Sequence, residues 1–144
     1  MERIVVGVDG SASSSRAIAW AKDEAEVRGA TLHLVCVVED PSSWIGAGAV
    51  MTPTAIGVLS AEDLHAAGKA LIAKATGAAG LDSGFSSEVL VGYPTEKLIE
   101  ASKDAGMLVL GSDGHRAKSA LLGSVAMHCV HHSACPIVIL PKAP

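Results

Sequence analysis

Five short apolar runs recur along the chain, and the stretches between them carry the spacing of helices. Ile4-Val5-Val6-Gly7-Val8 ends in Asp9-Gly10-Ser11, which reads as a buried strand entering a turn. Thr31 to Val38 forms a second run. A third starts near Phe85 and closes at Leu90-Val91, a fourth is Met107 to Leu110, and a fifth is Pro136 to Leu140. The runs are continuous rather than alternating, the pattern of strands covered on both faces. None approaches the length that crosses a bilayer.

The intervening segments supply helices. The serines from Ser11 to Ser15 offer N-caps, Ala17, Ile18, Ala21 and Ala25 recur at helical spacing, and Gly29 is placed to stop the helix. Ser60-Ala61-Glu62-Asp63 resembles a capping box opening a helix that runs to about Ala79. Thr95 is positioned to cap a helix over Glu96 to Asp104, with Leu98 and Ile99 inward. Leu121, Leu122, Val125, Ala126, Cys129 and Val130 form an apolar stripe on a last helix. Strands alternating with helices through right-handed crossovers give an α/β fold, an open parallel sheet with helices on both faces, Rossmann-like in outline. Ligands of such sheets bind beyond the carboxyl ends of the strands, where the strand order reverses.

A chain of 144 residues fits one domain over 1–144. Eleven basic residues against fifteen acidic give a net charge of −4, which argues against a nucleic-acid partner. Three cysteines make no disulfide framework, and Cys36 and Cys135 fall in apolar runs. With no signal-peptide shape at Met1-Glu2-Arg3-Ile4, a cytoplasmic protein without membrane association is expected. The segment 39–59, with Trp44 and two prolines, is long for an irregular connection and is read as functional or disordered.

The residues after the fourth run carry the chemistry. Gly111-Ser112-Asp113-Gly114 can adopt backbone angles closed to larger residues, and its N–H groups can form a nest for an anion. Gly123-Ser124-Val125 then opens a helix, where free N–H groups and the helix dipole favour phosphate. Two such places could hold successive phosphates of one nucleotide, with Ser124 adding a hydroxyl. A plain turn at a strand end is the bland alternative. The element is neither a Walker loop nor the dinucleotide-binding glycine fingerprint.

Taken together, "IVVGVDGSASSSRAIAWA", "VGYPTEKLIEASKDAGMLVLGSDG" and "LLGSVAMHCVHHSACPIVIL" resemble the universal stress protein family over nearly the whole chain. The resemblance implies the strand order 3-2-1-4-5. In the ATP-binding branch of that family, Gly-x2-Gly is followed by nine residues and then Gly-Ser or Gly-Thr. Here Gly111-x2-Gly114 is followed by only eight, His115 to Leu122, before Gly123-Ser124. Gly106-Met107 is a second departure, since the family usually has an acidic residue before the fourth strand.

Residue by residue, the resemblance implies that Gly7, Val8 and Asp9 line an adenine and ribose pocket and that Val37 packs on adenine. Leu110 would contact the sugar or base. Gly111, Gly114, Gly123, Ser124 and Val125 would bind ribose and phosphates, mostly through main-chain N–H groups. The ligand would be ATP or AMP, with Mg²⁺ or Mn²⁺ held through the phosphates. Arg116 and Lys118 could neutralise phosphate charge, or could be solvated loop charges. The family also dimerises through its last strand, here 136–140, and an apolar strand at a sheet edge would gain from such pairing.

"HCVHHSAC", residues 128–135, invites a metal reading, because His128 and His132 lie one helical turn apart. Cys129 should face another side, so exposed helix histidines are the preferred reading and no metal site is assigned. His33 is expected near an edge or paired in the core, Trp20 in packing, and Trp44 over the pocket. No residue presents itself as a strong catalytic base, so ATP hydrolysis should be slow if it occurs. The expected function is ATP binding that orders residues 39–59 and 111–123 and alters a surface read by a protein partner in stress adaptation or signalling. The alternative is a dimeric interaction module that binds no nucleotide. A phosphotransferase or pyrophosphatase is weaker, since "VDGSAS" lacks the doubled glycine such a loop needs.

Overall fold

A computed structural model describes residues 2–39, 60–112 and 123–141. Along these residues run β1 (Arg3–Gly7), α1 (Ala12–Arg28), β2 (Thr31–Val38), α2 (Ala61–Ala79), β3 (Phe85–Val91), α3 (Pro94–Ser102), β4 (Met107–Gly111), α4 (Ser124–His132) and β5 (Ile137–Leu140). All neighbouring strands pair in parallel, in the order β3-β2-β1-β4-β5, as expected. The chain builds outward from β1 to β3, then returns to place β4 on the other side of β1. The order therefore reverses between β1 and β4.

Strand alternation sorts the apolar residues into two cores. Ile4, Val6 and Val8 join Leu34, Cys36 and Val109 against Ala17, Ile18 and Ala21 of α1 and Ile72 and Ala75 of α2. Val5, Val35, Leu108 and Leu110 face the other way, onto Leu98 of α3 and Ala126 and Cys129 of α4. Ile4, Ile18, Leu34 and Leu108 lose all exposure to water, each worth about 1.5–3 kcal/mol. Trp20 packs beside the first core.

The helix ends follow their local chemistry. Ser11 caps α1 by accepting the Ser14 N–H, and Gly29 closes that helix at φ 65°. Ser60 and Asp63 form a reciprocal capping box at the start of α2. Gly68, in the middle of α2, lets the helix approach the sheet. A Cβ there would press on both methyl groups of Val89, 2.8 Å from Cγ2.

Three expectations change. The helix expected over Glu96–Asp104 begins at Pro94 instead, with Tyr93 as an N-cap that offers no side-chain bond, because proline at the first helical position needs no N–H partner. It ends at Ser102, whose hydroxyl donates to the Leu98 carbonyl at 2.7 Å. Burial on both faces fails for β3, where Ser86, Ser87 and Glu88 are exposed, because β3 is an edge strand. On α4 the buried stripe is Ala126 and Cys129, while Val130 is half exposed, since a nine-residue helix on a sheet margin covers only a narrow line. The expected strand at 136–140 appears as β5 at the opposite edge, each of its residues only partly buried.

Gly106 answers the question raised by the missing acid before β4. A Cβ at this position would stand 2.7 Å from Cδ of Glu2. The side chain of Glu2, just before β1, occupies the space that a side chain at 106 would need.

Candidate functional site

The reversal between β1 and β4 brings two carboxyl ends together. Val6 pairs with Val109, so Gly7 and Leu110 are neighbours one step on. A Cβ on Gly7 would lie 2.6 Å from Leu110 Cδ2 and 3.3 Å from Leu98 Cδ2. Gly7 is therefore small because two leucines close over it. Val8 and Leu110 are both 4 % exposed, and Val8 N–H still donates to the Val35 carbonyl at 2.8 Å. These three residues form the floor of the strand ends.

Asp9 stands on the rim, half-buried. Its Oδ1 accepts the Ser11 N–H at 2.9 Å, a local turn that starts α1. Ser11 Oγ in turn lies 3.3 Å from Ser13 Oγ. Burial and, second, the charge of Asp9 push the Cys36 thiol up to about 11, so a neutral sulfur underlies the rim. Val37, half-buried near the end of β2, packs beside the second core and pairs with Leu90 of β3.

The glycine-rich element divides by role. At Gly111 a Cβ would stand 2.8 Å from the main-chain carbonyl carbon of Ser13, so α1 seats directly on this glycine. Ser112 N–H donates to the Leu140 carbonyl at 2.8 Å, extending the β4–β5 ladder. Gly123 N–H donates to the Ser112 carbonyl at 2.6 Å and ties the start of α4 to the end of β4. Two of the main-chain donors in this region are thus spent inside the protein. The first helical bond of α4 is Met127 N–H to the Gly123 carbonyl, and Gly123 provides no side-chain cap. The N–H groups of Ser124, Val125 and Ala126 precede that bond and have no acceptor within the helix.

The structure brings Gly7, Val8, Asp9, Leu110, Gly111, Gly123, Ser124 and Val125 to the carboxyl edge of the sheet around β1 and β4, with Val37 on the adjoining β2. Gly114, Arg116, Lys118 and Trp44 lie outside the described residues. The sequence reading placed Ser13 only in a run of possible caps, Ser112 only in the glycine-rich nest and Ala126 only in an apolar stripe. Ala126 was open to discovery as the third helical position after a glycine cap. The contacts of Ser13 with Gly111 and of Ser112 with Leu140 join residues distant in sequence, and no local signal marks those contacts.

Elsewhere, His33 shares its ring nitrogens between Ser86 Oγ at 2.7 Å and Glu88 Oε1 at 3.1 Å, a cross-strand contact on the open part of the sheet. Among the described residues no group of three or more His, Cys, Asp or Glu is placed to hold a metal ion, and no helix is long and apolar enough to cross a membrane.

The universal stress protein family model matches residues 1–141. A universal stress protein of Mycobacterium tuberculosis is 35 % identical over 141 residues, covering 98 % of this chain and 49 % of its own. The chain spans about half the length of the curated relatives it matches. Among solved structures, a universal stress protein from Lactobacillus plantarum superposes with a TM-score of 0.76 at 24 % identity, covering 96 % of this chain and 97 % of the other. A universal stress protein in complex with cAMP gives 0.70 at 23 % identity, with 99 % and 98 % covered. One from Archaeoglobus fulgidus in complex with dAMP gives 0.64 at 22 % identity, with 97 % and 98 % covered. These structures share the five-stranded parallel architecture, and related members of the group bind adenine nucleotides. Matched in sequence over almost its full length and in fold from end to end, the chain belongs to the universal stress protein family.

Proposed function

We propose that this chain binds an adenine nucleotide, ATP or AMP, at the carboxyl edge of its sheet between β1 and β4. The observation that carries the reading is the start of α4, which has no side-chain cap among the described residues and is tied through Gly123 to the end of β4, beside the strand-order reversal. The cAMP and dAMP complexes of structural neighbours support the same ligand class. The phosphates would lie on the Ser124, Val125 and Ala126 N–H groups and the Ser124 hydroxyl, with Gly114 reaching them from the loop. Asp9 Oδ2 would accept from ribose or adenine while Oδ1 keeps its bond to Ser11. Val37 would face the base. A divalent ion, Mg²⁺ or Mn²⁺, would be held by the phosphate oxygens.

The chemistry proposed is binding, with hydrolysis slow at most. Nucleotide occupancy would present an altered surface to a protein partner in stress adaptation or signalling. A cytoplasmic homodimer joined through β5 completes this reading, because the outer edge of β5 has no partner strand in the sheet.

One observation favours a second reading. Gly111 seats α1, and the Ser112 and Gly123 amides are used internally, so three elements of the expected phosphate cradle have structural duties. A dimeric interaction module without nucleotide would need those duties alone. Native mass spectrometry of the purified protein, followed by calorimetric titration with ATP and AMP, separates the two. Retained adenine nucleotide or a saturable isotherm supports binding. An empty protein with flat isotherms for both ligands overturns it.

A further inference from the structure

The last two turns of α4 carry three exposed histidines, His128, His131 and His132, on a helix whose Cys129 is buried in the second core. The rings of His128 and His132 face one another with centroids 4.4 Å apart and planes tilted by 36°. His131 lies farther off, 6.5 Å from His132 in an edge-on arrangement. No described residue hydrogen-bonds to any of the three rings. Two imidazoles without a hydrogen-bond partner among the described residues thus stand over one another on successive turns, in the half of the helix away from the proposed phosphate-binding turn.

That spacing suits one borderline transition-metal ion. Residues four apart on a helix have Cβ atoms about 5–6 Å apart, within reach of a common point above the helix. Imidazole nitrogens bind zinc at about 2.0–2.1 Å, so two of them on a tetrahedral ion are separated by about 3.3 Å. The observed 4.4 Å between the ring centroids is close to that separation. Neutral imidazole is a good ligand for zinc, nickel and copper and a poor one for magnesium or calcium.

We propose that His128 and His132 form a two-histidine site for a divalent transition-metal ion, with water in the remaining coordination positions. Cys129 takes no part, since its sulfur is held in the core on the other side of the helix, where burial pushes the thiol up to about 11. His131 is a bystander. Bound metal links consecutive turns and holds the carboxyl end of α4 helical where the chain turns through Ser133 toward β5. The site is independent of the nucleotide reading and uses none of its residues.

The test is calorimetric titration of the purified, nucleotide-free chain with Zn²⁺, alongside thermal melting with and without Zn²⁺. His128→Ala and His132→Ala should each weaken binding by about tenfold or more and remove the zinc-dependent rise in Tm. His131→Ala and Cys135→Ser should leave both unchanged. Because all three histidines are exposed, the variants should melt like the parent in the absence of zinc. The proposal is overturned by a parent protein with no zinc isotherm, by zinc affinity that is unchanged on loss of either His128 or His132, or by a loss in His131→Ala or Cys135→Ser equal to that in His132→Ala.

Discussion

Gly111, at the end of β4, lies against the main chain of Ser13 in the first turn of α1, and a Cβ on the glycine would approach the Ser13 carbonyl carbon to 2.8 Å. A residue expected to serve a ligand thus also sets how closely a helix seats on the sheet. Ser13 is 1 % exposed, so it has no open space to move into. Gly111→Ala should lower stability by about 1–3 kcal/mol, the scale of overpacking a tight contact. Urea unfolding in the absence of nucleotide measures this. An unchanged midpoint would show that the helix yields and that the glycine is free for another role.

A cleaner probe of the proposed phosphate site is Ser124→Pro. Position 124 is the first residue of α4, where proline is well tolerated, and Gly123 before it already has the extended angles proline demands, φ −63° and ψ 159°. The change removes one of the amides aimed beyond the helix together with the hydroxyl. Binding of ATP should weaken by about tenfold, the cost of roughly 1.4 kcal/mol, while Tm stays within about 2 °C. Equal affinity in parent and variant would remove the start of α4 from the site.

The close approach of α2 to β3 gives a double-mutant test. Gly68→Ala gains up to about 1 kcal/mol of helix propensity but drives a methyl into Val89. Valine is short and stiff, so it cannot swing aside, and the clash should win with a net loss of about 1–2 kcal/mol. In a Val89→Ala background the same substitution should become neutral or stabilising. Chemical denaturation of the four proteins closes the cycle, and additive effects would contradict the contact.

Two thiols should report on burial. Cys36 and Cys129 are each pushed up to about 11 from 9.0, mainly by burial, with Asp9 adding to the first and Cys135 to the second. The folded state therefore holds its thiol protons to higher pH than the unfolded chain does. The contribution of these thiols to stability is fully present below pH 9.0 and is lost as pH rises through about 11. Unfolding free energy should fall over that window, and less so in Cys36→Ala. At pH 8, a thiol reagent should react readily in the native state only with Cys135, which is half-buried, and with all three cysteines in denaturant. Rapid native reaction of two or more thiols would contradict the burial.

The proposed dimer is tested on the outer edge of β5. The carbonyls of Pro136 and Leu140 accept from Leu108 of β4 and from Ser112 just beyond it, so strand alternation turns the main-chain groups of Ile137 and Ile139 away from the sheet. Ile139→Pro removes an outward N–H and spares the bonds to β4. Analytical ultracentrifugation should show a dimer for the parent and a monomer for the variant, with the far-ultraviolet spectrum retained. A variant that sediments like the parent would place any dimer contact elsewhere.

How much of this was legible in advance depends on the range of the interaction. The strands at 4–8, 31–38 and 107–110, the cap at Ser11, the box at Ser60 and the stop at Gly29 rest on neighbours within about five residues, and all appear close to where pattern placed them. The strand order came from the family resemblance, because each crossover follows rules shared by every such sheet. The start of α3 differs from the pattern because Thr95 has the chemistry of a cap, whereas Pro94 before it is itself the first helical residue.

Period, burial preference and capping were thus written locally in the chain and determined the elements, their type and the end of the sheet at which a ligand would sit. Which glycine serves packing and which leaves donors exposed was decided only in three dimensions. Gly7 yields to Leu110 and Leu98, Gly68 to Val89, Gly106 to Glu2 and Gly111 to Ser13. Each of those contacts joins residues from different elements, and a glycine in a sequence looks the same whatever later stands in the space beside it. The exposure of β3 and of Val130 was settled in the same way, because coverage belongs to the neighbour that arrives and not to the residue that waits.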